Sequence, residues 1–164
     1  MAISDVYTGR ATPTVASAAT ATAVFSLFGT AAKRLWIVGC RVEIENAGAT
    51  PAGNQVLFQL VRSTTATITG TSTGLGVAHD AAAPASQGVT AATWSTAPAG
   101  TLVVLADWTL PQTSGSAWEE FPPLGYEWGV PAIANAGSSA GVHLFITQAN
   151  STSTTYDVEL IWSE

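Results

Sequence analysis

Residues 34–46 read RLWIVGCRVEIEN, and this stretch decides the fold class. Counted with a period of two, Trp36, Val38, Cys40, Val42 and Ile44 share one face. Leu35, Ile37, Gly39, Arg41, Glu43 and Glu45 share the other, which becomes charged towards its end. That alternation predicts a long β-strand with one buried face and one face that is wet for half its length. A stripe at helical spacing would put Arg41 and Glu45 among the apolar residues, so no helix competes.

Working outward, the neighbouring runs have the same character. Residues 20–28 (TATAVFSLF) predict a strand anchored by Val24, Phe25 and Phe28. In residues 55–62 (QVLFQLVR), Val56, Phe58 and Leu60 point inward and Gln55, Gln59 and Val61 outward. The Gly/Pro-rich stretch 47–53 lies between this run and residues 34–46, so the two read as a long hairpin or as neighbours in one sheet. Residues 89–95 carry Trp94, and residues 100–110 place Leu102, Val104, Ala106 and Trp108 on one face. A short strand at 118–121 stops at the Pro-Pro of 122–125, and a short extended segment follows at 126–136. Residues 141–148 and 155–162 complete the set. In the last run Tyr156, Val158, Leu160 and Trp162 face one way, Asp157 and Glu159 the other.

Eight or nine strands without a helix give an all-β class: a two-sheet antiparallel β-sandwich of jelly-roll or Greek-key type. The 6 Trp suit the roughly 10 Å gap between two sheets. A chain of 164 residues makes one domain. Residues 20–164 form the sandwich. Residues 1–19, small and polar, form an extended or disordered arm that orders against a neighbour. Residues 63–88 are expected to be the longest irregular region, functional or held by a partner.

Charged residues make up only 10% of the chain, so much of its surface is Thr, Ser, Ala, Gln and Asn. Such an exterior suits coverage by other subunits, or glycan binding. A net charge of −6 with only 5 basic residues argues against nucleic acid as a partner. No run approaches the length of a membrane span and residues 1–10 do not form a signal peptide. The expectation is a soluble protein made in a cytoplasm, without a membrane span. Cys40, the single cysteine, sits on the apolar strand face as a buried hydrophobe.

Catalytic patterns are missing from the sequence. His79 beside Asp80 and His143 on a late strand have no metal-binding spacing. No G-x-S-x-G elbow occurs. Glu119 and Glu120 are adjacent on a strand and point to opposite faces. TGTSTGLG (69–76) lacks the Lys and helix of a phosphate loop. Asp80 with Asp107 or Asp157 would hold calcium only if the fold gathered them. Glu43 with Glu45, and Asp157 with Glu159, share faces at i, i+2, which fits solvated sheet faces or contacts for a basic partner surface. No enzyme activity and no cofactor are expected. Among the tryptophans, Trp36, Trp94, Trp108 and Trp162 are assigned to the core. Trp118 and Trp128, flanking the Pro-Pro-Leu-Gly corner, are expected to be exposed and are the candidates for stacking on a glycan.

A small-residue arm leads into RLWIVGCRVEIEN. QVLFQLVRSTTATITG, VAHDAAAPAS, VTAATWSTAP, EEFPPLGYEW and the terminal YDVELIWSE follow. In this cadence residues 20–164 resemble the small jelly-roll decoration (cement) proteins of tailed-phage virions. The resemblance implies a virion structural protein on the outer capsid surface: a homotrimer that binds the major capsid protein at three-fold positions and has no catalytic residues. The contact residues expected are Ile3, Val6, Tyr7 and Arg10 of the arm, and His79 and Asp80 of the 69–83 loop. The alternative is a carbohydrate- or receptor-binding module of a phage tail or fibre, using Trp118 and Trp128.

Overall fold

The computed structural model describes residues 5–16, 21–29, 34–48, 53–63, 70–75, 77–80, 82–86, 88–94, 102–122, 127–130, 141–148 and 152–164. Over these residues the alternating apolar pattern becomes thirteen β-strands, all paired antiparallel, with no helix among them. Sheet I runs in the order β10 (Ala117–Glu120), β4 (Leu35–Asn46), β13 (Thr154–Ser163), β1 (Val6–Ala11) and β7 (Val77–Ala78). Here β11 (Trp128–Val130) also pairs with β4, and β2 (Thr14–Val15) with β13. Sheet II runs β6 (Gly70–Leu75), β8 (Val89–Trp94), β3 (Thr22–Phe28), β12 (Gly141–Gln148), β5 (Gln55–Ser63) and β9 (Leu102–Pro111).

The two sheets share one core, as a two-sheet antiparallel sandwich requires. Ile37, Val42, Ile44, Val158, Leu160 and Trp162 of sheet I meet Phe25, Leu27, Phe58, Leu60, Leu144 and Ile146 of sheet II, all without exposed surface. An aromatic row crosses the gap: Tyr156 packs edge-on to Phe58 at 5.8 Å, and Phe58 stacks on Trp108 at 5.9 Å. Trp108 in turn stacks on Trp118 at 3.9 Å. A fully buried ring such as Phe58 stabilises the fold by about 1.5–3 kcal/mol. A polar network closes one end of the sandwich. The Tyr156 hydroxyl donates to Gln148 Oε1 (2.8 Å), Gln148 Nε2 to the carbonyls of Val15 and Thr152, and Gln112 Nε2 to Thr154 Oγ1 (2.9 Å).

Every stretch expected to form a strand contains one, and four more appear: β1, β2, β6 and β7. These lie in Ala/Thr- or Thr/Gly-rich sequence, where small side chains leave no apolar alternation to read. Three further expectations are corrected. Residues 34–46 and 55–62 are neither a hairpin nor neighbours, because β4 lies in sheet I between β10 and β13 while β5 lies in sheet II between β12 and β9. The connection between them changes sheets, so each strand buries its own apolar face from opposite sides of the core. Residues 6–11 are no free arm: they pair along their full length with β13, from Val6↔Ser163 to Ala11↔Val158.

The third correction concerns facing. In β4 the pairing with β13 skips Val38, since Ile161 lies opposite Gly39 but Trp162 opposite Ile37. This bulge reverses the alternation, as an inserted residue must. Leu35 and Ile37 are therefore buried together with Cys40, Val42 and Ile44, and Trp36 turns outward at 39% exposure. The same event in β9, where Leu105 is skipped between Ala106 and Val104, sends Leu102 and Val104 outward. Trp108 and Leu110 keep the core side.

Candidate interaction surface

The outer face of sheet I gathers charges from distant parts of the chain. Cys40 and Val42 are core residues, so Arg41 and Glu43 project outward. Val158 and Leu160 place Asp157 and Glu159 on the same side. Strand register then lines up Glu119, Arg41, Glu159 and Arg10 across β10, β4, β13 and β1, and sets Glu43 opposite Asp157. Glu45, skipped between Ile44↔Tyr156 and Asn46↔Thr155, stands close enough for its charge to act on Arg10, and with it the face carries five carboxylates against two guanidinium groups. Arg10 closes on Asp157 with both prongs of its fork, Nε donating to Oδ1 at 2.6 Å and Nη2 to Oδ2. The carboxylate beneath is only 4% exposed while the guanidinium is 59% exposed. This hydrogen bond and the Asp157 charge raise the Arg10 pKa, and Glu159 and Glu45 add to it. Arg41 donates to Glu43 at 2.8 Å. Glu45, Glu119 and Glu159 take part in no ion pair among the described residues.

Apolar groups border these charges. Trp36, with the Arg34 guanidinium 5.1 Å from its ring centroid, extends from one end of β4. Phe121 is 56% exposed and lies along Gly39, close enough that a Cβ there would stand 2.6 Å from its ring. Val77 extends from the β7 edge at 71% exposure.

The structure brings the two expected contact regions together. β7 pairs with β1, the His79 N–H donates to the Val6 carbonyl at 2.9 Å, and the His79 ring Nε2 meets Thr8 Oγ1. Arm strand and loop thus form one edge of sheet I. Val6 is half-buried, His79 and Asp80 are exposed, and Arg10 belongs to the charged face. Tyr7 is corrected: it is 1% exposed, stacks on Trp162 at 6.2 Å and donates its hydroxyl to the Pro84 carbonyl, so it is a core residue. Ile3 lies outside the described residues. Asp80 is occupied in its own turn, with Oδ1 accepting from the Ala82 N–H at 2.9 Å. Asp157 is held by Arg10, Asp107 belongs to sheet II, and among the described residues no group of three potential metal ligands forms. No helix there is long and apolar enough to cross a membrane.

The tryptophan assignment is also corrected. Trp118 and Trp128 lie opposite the core residues Val42 and Ile37 and pack against the core, half-buried. One ring face of Trp118 is taken by Trp108, so these two do not form a stacking platform. Among the tryptophans whose side chains are described, Trp36 is the exposed one. Of the charged face, the i, i+2 carboxylates were legible in the sequence. Arg41, on the same strand face as Glu43, was legible too; the contributions of Arg10 and Glu119 were not, because they depend on which strands become neighbours.

His143 has a buried place on the other sheet. Its Nδ1 meets Ser26 Oγ at 2.7 Å on β3 and its Nε2 meets Ser63 Oγ at 2.8 Å on β5. The ring is fully buried between the edges of Phe28 and Phe145, and desolvation lowers its pKa to about 4. The imidazole is therefore neutral at pH 7 and cross-links three strands. Cys40 is likewise buried, and desolvation pushes its thiol pKa up and away from reactivity. Compared with known protein families and with curated proteins, the chain matches none.

Proposed function

We propose that the chain is a virion structural protein of the capsid-decoration type, a homotrimer that binds the major capsid protein at three-fold positions of a phage head and stabilises the shell. The observation that carries this reading is the outer face of sheet I. It is a broad strand surface held rigid by the shared core, with ion pairs along its centre and exposed Trp36, Phe121 and Val77 around it. Exposed aromatic anchors and arginines on a strand face serve association between proteins better than they serve chemistry on a small molecule, because these groups are enriched at protein interfaces. On that face Asp157 is fork-bound by Arg10, while His143 lies buried in the other sheet and Cys40 in the core.

Co-sedimentation of the purified chain with undecorated heads tests the reading. The expected result is saturable binding in multiples of three per three-fold position, with heads that withstand higher temperature once occupied. Absence of the chain from the pelleted heads at micromolar concentration overturns it.

A further inference from the structure

We infer that the outer face of sheet I docks a basic protein surface, with the unpaired carboxylates of Glu45, Glu119 and Glu159 as its electrostatic contacts and Trp36 and Phe121 as its apolar anchors. The inference rests on the decoration reading and names the partner chemistry for that same face.

Internal pairing on the face is unequal. Arg10 is committed to Asp157 and Arg41 to Glu43, which leaves three carboxylates without a cation among the described residues. Two of them, Glu119 and Glu159, flank Arg41 on neighbouring strands, and Glu45 extends the surplus along β4. A flat sheet fixes these groups at strand spacing, so a partner presenting Lys or Arg at similar intervals meets them without reorganisation. Trp36 and Phe121 supply what charge alone does not. Phe121 exposes a large apolar surface against Gly39, next to the acidic row, and Trp36 exposes another at the far end of β4; aromatic groups carry a large share of association energy at interfaces.

A second copy of this chain does not fit the same face. Glu119, Arg41, Glu159 and Arg10 alternate in sign, so two copies turned face to face about an axis between β4 and β13 would match along that row. Both copies, however, bring an excess of carboxylate to the contact, with Glu45, Glu119 and Glu159 in no ion pair on either among the described residues. Like charges brought together in this way disfavour the pairing. The complementary occupant is a different, basic surface.

The probe is a synthetic strand of alternating lysine and leucine, joined to the intact protein by a zero-length carbodiimide and mapped by mass spectrometry. Its cross-links are expected at Glu45, Glu119 and Glu159. The double variant Glu119→Lys/Glu159→Lys is expected to bind the strand about tenfold more weakly. Trp36→Ala is expected to weaken it too, while Asp80→Lys, on an exposed turn, leaves it unchanged. Cross-links spread over Asp80 and Asp107, an Asp80→Lys loss equal to that of the double variant, or no binding of the strand overturns the inference. Undecorated heads separate it from the broader reading. If the double variant occupies heads as well as the parent chain does, decoration stands and this face is not the contact. If the parent chain ignores heads yet docks the strand on this face, the decoration reading fails and the inference stands.

Discussion

The two outer faces of the sandwich differ more than the two sheets that bear them. Sheet I presents carboxylates, guanidinium groups and partly exposed rings to water. Across β3, β12 and β5, sheet II presents Ala23, Val61 and Phe145 as a second apolar cluster, with Ser26, Ser63 and His143 buried beside it. A strand buried on both faces loses the polar alternation of a half-exposed one. GVHLFITQ shows this, being buried at seven of its eight positions. On one face the polar groups are satisfied by water and by each other. On the other they are satisfied inside the protein: Ser26, His143 and Ser63 form a line of hydrogen bonds, and Ser63 Oγ also accepts from the Gly141 N–H.

Substitutions sharpen this contrast in order of size. His143→Ala removes a buried ring and its contacts with the Ser26 and Ser63 hydroxyls, so a loss of about 4 kcal/mol is expected in urea unfolding. A midpoint left unmoved would mean that the face is wet. Acid comes next. The His143 pKa is about 4 in the fold against 6.5 for an ordinary imidazole in water, so the unfolded chain takes up its proton first. The full contribution of the neutral ring is present above pH 6.5 and is lost as pH falls through the window down to about 4, a difference of about 3 kcal/mol. His143→Gln should flatten that part of the pH–stability curve, and an unchanged slope would contradict the burial. Ser26→Ala leaves one ring nitrogen unpaired in a dry site and should cost about 1–2 kcal/mol, read from thermal melts. Smallest is Glu119→Gln on the wet face, where stability should stay within about 0.5 kcal/mol of the parent. A larger change would show that the charged row supports the fold.

Much of the sandwich was legible because its strands alternate. Val56, Phe58 and Leu60 inward, and Tyr156, Val158, Leu160 and Trp162 opposite Asp157 and Glu159, follow from spacing alone. Legibility stopped where one residue breaks the count. Val38 and Leu105 look like ordinary strand members, yet each is the extra residue of a bulge, and each reverses the facing of what lies beyond it. Trp36 was assigned to the core for this reason. β1 was hidden differently: Tyr7 is its one large buried side chain, and the strand is defined by a partner over a hundred residues away. Gly9 shows why small residues belong there. A Cβ at that position would stand 2.6 Å from Thr90 and 3.2 Å from the Trp162 ring, so the low bulk that reads as disorder is needed for close packing. The charged face was half legible for the same reason, since pairs along one strand are local and rows across strands are not.

The pairing of β1 with β13 bears on the order of folding events. Val6–Ala11 emerges from the ribosome early but has its principal partner in Thr154–Ser163, and β12, which holds β3 and β5 together, is also made late. At synthesis rates of about 5–20 residues per second, the early strands wait several seconds with their edges unpaired. Contacts this distant along the chain also make closure slow. Sparse large apolar groups in the first twenty residues are then an advantage during biosynthesis, because a segment that must wait offers little for a neighbouring nascent chain to adhere to.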